Sequence, residues 1–124
     1  MQDFRKLNVW QAGRVVTKSV YEITAGYPES ESFGLEAQMR RAAVSICSNI
    51  AEGCGRGSDA DFRRFLYAAM GSACELECET ILCFDLSWIA DRIQQRLLNN
   101  IAEVKRMLSG LIKSVGEPRK GSKS

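Results

Sequence analysis

The sequence predicts an all-α fold, an antiparallel up-down four-helix bundle, and two observations carry that prediction. Apolar residues recur every three or four positions in four segments, and no stretch shows the sustained alternation of a half-buried strand. The two prolines, Pro28 and Pro118, lie outside those segments. Since 124 residues make one ordinary domain, we expect a bundle over residues 1–115 and a flexible basic tail over residues 116–124.

The first predicted helix covers residues 7–25 and ends at Gly26 and Pro28, which are typical helix stop signals. Its core stripe repeats at helical spacing and comprises Val9, Ala12, Val16, Val20 and Ile23. A second stripe on the opposite side comprises Leu7, Trp10, Thr17 and Tyr21.

The second predicted helix covers residues 32–52, with Ser32 as its N-cap. Its core stripe comprises Leu35, Met39, Ala42, Ala43, Ile46 and Ile50. Gly53, Gly55 and Gly57 follow it, and we expect one of them to adopt the left-handed conformation that closes a helix.

The third predicted helix begins at Ser58, which can cap it, and ends near Phe84. Its core stripe comprises Phe62, Phe65, Leu66, Ala69, Ala73, Leu76 and Thr80. A second stripe comprises Tyr67, Met70, Cys74, Cys78 and Ile81.

The fourth predicted helix covers residues 89–115, and its other sides are polar and charged. Its single apolar seam comprises Leu97, Ile101, Val104, Leu108, Leu111 and Val115.

The first and third predicted helices each have two stripes, whereas a helix of an isolated bundle needs only one apolar stripe. The second stripes therefore bear on the assembly state. Either the helices are widely buried within one subunit or further copies of the chain cover the second stripes. We favour self-association, since homo-oligomers are the commonest assemblies. The predicted interface residues are Trp10, Tyr21, Tyr67, Met70, Cys74 and Ile81.

A polar stripe on the second helix, in the segment SICSNIAEGCGRGS, interrupts this apolar pattern. Ser45, Asn49 and Glu52 stand at helical spacing beside the core stripe, so we predict a partly buried, hydrogen-bonded network. Arg41 and Arg56 are the expected partners, and Glu52 could also cap the amides that begin the third helix. Replacing Glu52 by alanine is then expected to cost ~1–3 kcal/mol.

Charge and cysteine content limit the function classes. The tail holds three of the 17 basic residues and one of the 15 acidic residues, which leaves residues 1–115 formally neutral, unlike a dedicated nucleic-acid binder. The five cysteines are interpreted as packing residues of a protein in the reducing cytoplasm, with Cys74 and Cys78 as the alternative pair of metal ligands. No metal, cofactor or membrane span is predicted.

An enzyme is the least favoured class. Glu52 with Glu77 could perform acid–base chemistry, and Cys47 or Cys54 could act as a nucleophile. However, the chain has no histidine to activate a thiol, and the segment GCGRG lacks the lysine of a phosphate-binding loop.

Nearly the whole chain resembles a known family. The segments LEAQMRRAAVSICSNIAEGCGR and FRRFLYAAMGSACELE, with FRKLNVWQAG and PESESFGL, are similar to the bacterial four-helix-bundle proteins associated with intervening sequences in 23S ribosomal RNA. The residues that match the family motif are Arg41, Ser45, Asn49, Glu52, Gly53, Arg56, Glu75 and Glu77.

The resemblance implies a ring-like homopentamer and no catalytic residue, and it adds Glu77 to the predicted polar network. It also implies a relation to the accessory variability proteins of diversity-generating retroelements, which bind nucleic acid and partner a reverse transcriptase.

The sequence therefore leads to two hypotheses about function. The first is an oligomer that contacts RNA or DNA through one arginine patch, with the tail residues Arg119, Lys120 and Lys123 as additional contacts. The predicted contacts are Arg40, Arg41, Arg56, Arg63 and Arg64. The alternative is a structural oligomer or adaptor that binds another protein, with these arginines neutralised by Glu52, Asp59 and Asp61.

Overall fold

The computed structural model describes residues 2–25 and 34–116, and within these ranges the chain is all-α with no strand. The four predicted helices are present, within three residues of the predicted bounds. A short 3-10 helix at Phe4–Lys6, which the sequence analysis did not predict, precedes them. The helices are α1 (Asn8–Thr24), α2 (Leu35–Cys54), α3 (Asp59–Asp85) and α4 (Asp91–Gly116).

Part of the sequence prediction lies outside the described residues. The stop signals Gly26 and Pro28, the predicted N-cap Ser32 and residues 117–124 of the predicted tail belong to this part. The first residue of that predicted tail, Gly116, is the last residue of α4.

The helices form an antiparallel up-down bundle in which each helix packs on the next and α4 returns to pack on α1. The Thr17 hydroxyl of α1 donates to the carbonyl of Ala43 in α2 at 3.2 Å. The Ser72 hydroxyl of α3 donates to that of Ser45 in α2 at 2.9 Å. With links of four and five residues on either side of α3, successive helices must run in opposite directions.

One apolar face of each helix meets the others in a single core, as the stripes predicted. The largest fully buried apolar side chains are Met39, Ile46, Ile50, Leu66, Leu76, Leu97, Ile101, Leu108, Val16, Val20 and Val104. The end of α4 departs from the prediction, because Ile112 is buried while Leu111 and Val115 are only partly buried. At 3.6 residues per turn a straight helix drifts from a strict three-and-four repeat, which moves the seam by one residue after several turns.

The ends of α2 and α3 are set by different devices. Ser58 caps α3 as predicted, since its hydroxyl accepts from the Asp61 amide at 3.1 Å. The prediction of a left-handed glycine after α2 is wrong: Gly55 has φ −85°, and neither Gly53 nor Gly57 lies in the left-handed region. Gly53 instead provides space, because a Cβ atom there would lie 2.9 Å from Cδ1 of Phe62.

The left-handed residue lies at the end of α3, where Ser87 has φ 65°. The Ser87 amide donates to the carbonyl of Phe84 at 2.8 Å, and the Trp88 amide donates to that of Cys83 at 3.1 Å. This pair of hydrogen bonds is the Schellman closure of a helix. Across residues 2–25 and 34–116, no helix combines the length and the apolar character needed to cross a bilayer.

Candidate interaction surfaces

The polar stripe of α2 lies at the seam where α2 packs on α3. Ser45 is its centre, because its hydroxyl accepts from Ser72 of α3 and from Nδ2 of Asn49 at 3.0 Å. Asn49 Nδ2 also donates to the Ser45 carbonyl at 2.9 Å. Alanines from both helices are buried nearby, which lets the two backbones approach closely enough for these short side chains to meet. The stripe therefore joins two helices of one subunit.

Glu52 and Glu77 do not belong to this network, which corrects the prediction of one connected set. Glu52 is exposed and pairs with Arg56 at 2.9 Å, while Ser58 rather than Glu52 caps α3. Glu77 faces α4 and pairs with Lys105 at 3.0 Å, which raises the pKa of the lysine. For Glu52 the physical reason is that the end of α2 packs on apolar residues of α3, since a Cβ atom at Gly53 would lie within 3.0 Å of side-chain atoms of Phe62 and Phe65.

A buried carboxyl group, Glu79, extends the same seam and was missed by the sequence analysis. Its residue is 4% exposed, and no hydrogen-bond partner of its Oε1 atom lies among the described residues. Burial, together with the nearby Glu75 carboxylate, raises the pKa of Glu79 to about 7, while Arg41 opposes the shift. The available signal was the segment ELECETIL, which places Glu75 and Glu79 one helical turn apart.

The predicted arginines form two groups rather than one patch. Arg40 and Arg41 lie in the second turn of α2, whereas Arg56, Arg63 and Arg64 lie around the link between α2 and α3. The remaining length of α2 separates them by about 20 Å, at 1.5 Å per residue. Proximity in sequence did not give proximity in space because a rigid helix lies between the groups.

Three of the five arginines already have partners within the chain. Arg40 donates to the Thr24 hydroxyl at 2.8 Å, lies 3.5 Å from Glu36 and covers the Tyr21 ring. Arg56 and Arg64 both pack over Phe65, at 4.9 and 4.6 Å from the ring centroid.

Arg56 pairs with Glu52, and Arg64 pairs with Asp61 at 3.5 Å. Within the described ranges, Arg41 and Arg63 form no ion pair with a carboxylate. Arg41 nevertheless lies close enough to Glu79 to act on it as an opposite charge, and it lines the same groove as Glu75.

The two predicted second stripes differ in the structure. That of α1 is largely covered by the chain itself: Thr17 bonds to α2, and Trp10 packs edge-to-face on Phe4 at 4.9 Å between ring centroids. Tyr21 is exposed beneath Arg40. Wide burial within one subunit, the alternative that we did not favour, therefore accounts for most of the α1 stripe.

The second stripe of α3 is largely uncovered. Met70 packs against the core, but Tyr67 is 60% exposed, Ile81 is 42% exposed and Cys74 is exposed. These residues belong to a surface that we call the outer face of α3. Its members are exposed and uncharged, and they are Tyr67, Ala68, Gly71, Cys74, Cys78, Ile81 and Leu82.

The cysteines divide into packing residues and surface thiols. Cys54 and Cys83 are buried, but Cys74 and Cys78 are exposed, so this pair does not pack inside the subunit. No cluster of three or more possible metal ligands occurs in the described part of the chain.

The nucleophile and acid–base candidates are not assembled into a site. Burial raises the pKa of the Cys47 and Cys54 thiols, which lowers their reactive thiolate fraction at neutral pH. Glu52 lies at the end of α2 beside Gly53, which packs against Phe65 of α3, whereas Glu77 lies about 18 Å further along α3 than Phe65.

These features define a class of protein: a helical bundle with a polar internal seam and an uncovered apolar face. A family model described as 23S rRNA-intervening sequence protein matches residues 5–110. The chain therefore belongs to the 23S rRNA-intervening sequence protein family, which confirms the resemblance.

A solved structure has the same fold. It is a Bacteroides thetaiotaomicron protein of unknown function from the S23 ribosomal protein family. This chain is 25% identical to it, with a TM-score of 0.77 over 85% of this chain and 98% of the other. The search of curated proteins finds no match. The relation to the accessory variability proteins stays a prediction.

Proposed function

We propose that this protein is a non-enzymatic, self-associating scaffold whose assembly buries the outer face of α3. The observation that carries the proposal is the exposure of Tyr67, Ile81 and Leu82, at 60%, 42% and 46%, on one helix. A monomeric bundle gains nothing from such a row of exposed apolar side chains, and contiguous exposed apolar surface commonly marks an interface.

A second copy of the same chain is the occupant we propose for this face. The centre of the face is apolar, and exposed charges of both signs, Arg64 and Glu75, lie along its edge, so its charge selects neither a basic nor an acidic partner. Gly71 lies in its middle with no atom within 4 Å of the position of a Cβ, so another helix can approach its backbone closely. The ring-like pentamer implied by the family resemblance fits this proposal, and a cytoplasmic location stays a prediction.

Size-exclusion chromatography with light scattering tests the assembly. The double variant Tyr67→Glu/Ile81→Glu should convert the wild-type oligomer to a monomer with unchanged helicity, because it places charge in the apolar contact. Gln95→Glu/Asn99→Glu, on the exposed side of α4, is the matched control and should keep the wild-type mass. A double α3 variant that stays oligomeric would assign the interface to another surface, and a monomeric wild type would overturn self-association.

Contact with RNA is a second candidate function, and the absence of ion-pair partners for Arg41 and Arg63 among the described residues favours it. The family description names 23S ribosomal RNA, which makes a structured RNA the suitable probe. In a ring, each arginine recurs in every subunit, so weak phosphate contacts add up. Since the bundle is formally neutral, we expect binding to come from these few cations rather than from a basic surface.

Fluorescence anisotropy with a labelled, structured ribosomal RNA fragment at 50 and 200 mM salt tests this candidate. Arg41→Gln/Arg63→Gln should weaken low-salt binding several-fold, while Arg56→Gln, at an arginine already paired with Glu52, should change it less. Binding that is absent at low salt, or that ignores both variants, rejects the arginine contact. The scaffold proposal is tested separately by the mass measurement.

A further inference from the structure

The acidic residue buried between α2 and α3 has no role in the surfaces described above. Glu79 is 4% exposed, and its Oε1 atom finds no hydrogen-bond partner in the described ranges. Buried side-chain oxygens are rarely left in this state, and ionising a carboxyl group so shielded from solvent is unfavourable. Its burial therefore disfavours the charged form.

The charged neighbours of Glu79 come from two helices. Glu75 lies one turn earlier on α3 and lines an open groove of about 610 Å³ together with Arg41 and Ser45 of α2. Glu75 acts on Glu79 as a like charge and Arg41 as an opposite charge, and no charged group of α1 or α4 is found to act on it among the described residues. One arginine thus faces two carboxyl groups, one of which is shielded from water.

We infer that the buried Glu79 carboxyl group holds a proton that it shares in a hydrogen bond with the Glu75 carboxylate, which makes the packing of α2 on α3 proton-dependent. With the proton on Glu79, its hydroxyl donates to the Glu75 carboxylate and no charge is buried. Loss of the proton leaves two negative charges one helical turn apart, which is destabilising. Arg41 then has to compensate for both.

The direction of the pH dependence follows from the two states of Glu79. In the unfolded chain its carboxyl group loses the proton near the ordinary pKa of 4.5, whereas in the folded chain the pKa is about 7. Between these values the folded state binds more protons, so this group makes the chain less stable as pH rises from 4.5 to 7. Above pH 7 both states have lost the proton and the dependence ends.

Urea unfolding of wild type and Glu79→Gln at pH 5.5 and 8.0 tests the inference. Glutamine keeps the shape of the protonated acid and cannot ionise. From pH 5.5 to 8.0, the folding equilibrium constant of wild type should fall about 30-fold relative to that of Glu79→Gln, as one proton taken up on folding requires. One protein concentration is used throughout, because self-association adds stability by mass action.

Glu77→Gln is the matched control on the same helix. Its carboxyl group pairs with Lys105, so this variant should keep the wild-type pH dependence. An identical pH dependence in wild type and Glu79→Gln would overturn the inference.

Carbon-13 NMR of the glutamate carboxyl groups measures the proton directly. One carboxyl resonance should titrate near pH 7, disappear in Glu79→Gln, move to higher pH in Arg41→Gln and move to lower pH in Glu75→Gln. The two shifts have opposite signs because one variant removes a positive and the other a negative neighbour of the carboxyl group. Titration of every glutamate between pH 4 and 5 would show that Glu79 holds no such proton and would overturn the inference.

Discussion

The outward sides of α3 and α4 differ although the two helices are nearly equal in length, at 27 and 26 residues, and bury their inner faces in the same core. The outward side of α4 carries the exposed polar residues Arg92, Gln95, Arg96, Asn99 and Arg106. The outer face of α3 instead carries the exposed apolar residues Tyr67, Ile81 and Leu82. A helix with one apolar stripe is satisfied by the bundle, whereas α3 has a second apolar surface that the bundle does not cover.

The same comparison separates two kinds of seam inside the bundle. On α4, large and fully buried aliphatic side chains such as Ile101 and Leu108 pack into the core. The α2–α3 seam instead combines buried alanines with the hydrogen-bonded Ser45, Asn49 and Ser72. Apolar packing tolerates many shapes, but hydrogen bonds between short side chains require one register, so the polar seam defines how α2 aligns with α3.

The largest expected effect comes from truncating the inner face of α3. Leu76 is fully buried, so Leu76→Ala should lower the free energy of unfolding by about 2–5 kcal/mol, through lost apolar contact and the cavity left behind. Leu82→Ala, the same change on the outer face, should cost less than about 1 kcal/mol in the dissociated subunit. Urea unfolding at low protein concentration measures both free energies. Equal losses would contradict the description of α3 as a helix with one buried and one exposed apolar face.

A pair of glycines gives the next largest difference. Gly53→Ala should cost about 1–3 kcal/mol by overpacking, since its Cβ would lie 2.9 Å from Phe62 and 3.0 Å from Phe65. Gly71→Ala meets no atom within 4 Å and should stabilise the subunit by up to about 1 kcal/mol through helix propensity.

Light scattering on the same proteins sharpens the comparison. If a neighbouring helix approaches Gly71 closely, Gly71→Ala should weaken the assembly while it stabilises the isolated subunit. Gly110→Ala on α4, also with no atom within 4 Å, should stabilise the subunit and leave the assembly unchanged. The same response from both glycines would argue against close helix contact on the outer face of α3.

The smallest expected effect is that of Glu52→Ala. A partly buried Glu52, as the sequence predicts it, implies a loss of ~1–3 kcal/mol. The exposed pair with Arg56 in the structure lowers this to about 0–1 kcal/mol, because solvent screens surface ion pairs. Thermal unfolding should place this variant beside Glu103→Ala, which removes the exposed pair with Arg106 on α4. A loss of 2 kcal/mol or more, well above that ~1 kcal/mol limit, would restore the network role of Glu52.

The sequence alone predicted the fold to a large extent. The repeats through Val16, Ile46, Leu66 and Ile101 identify the buried face of each helix, and the Ser58 cap defines the start of α3. These features depend on residues within one or two helical turns of each other, which is the range over which sequence periodicity carries information. The family motif was also recognisable from the residues themselves.

The tertiary structure decided which polar residues meet and which surfaces stay uncovered. Spacing put Ser45, Asn49 and Glu52 on one side of α2, but the residues opposite on α3 determine that the first two join the seam and that Glu52 does not. The tertiary structure also separates Arg41 from Arg56, covers Trp10 and buries Glu79. Each outcome depends on the helix packed alongside, and a periodicity within one helix contains no information about its neighbour.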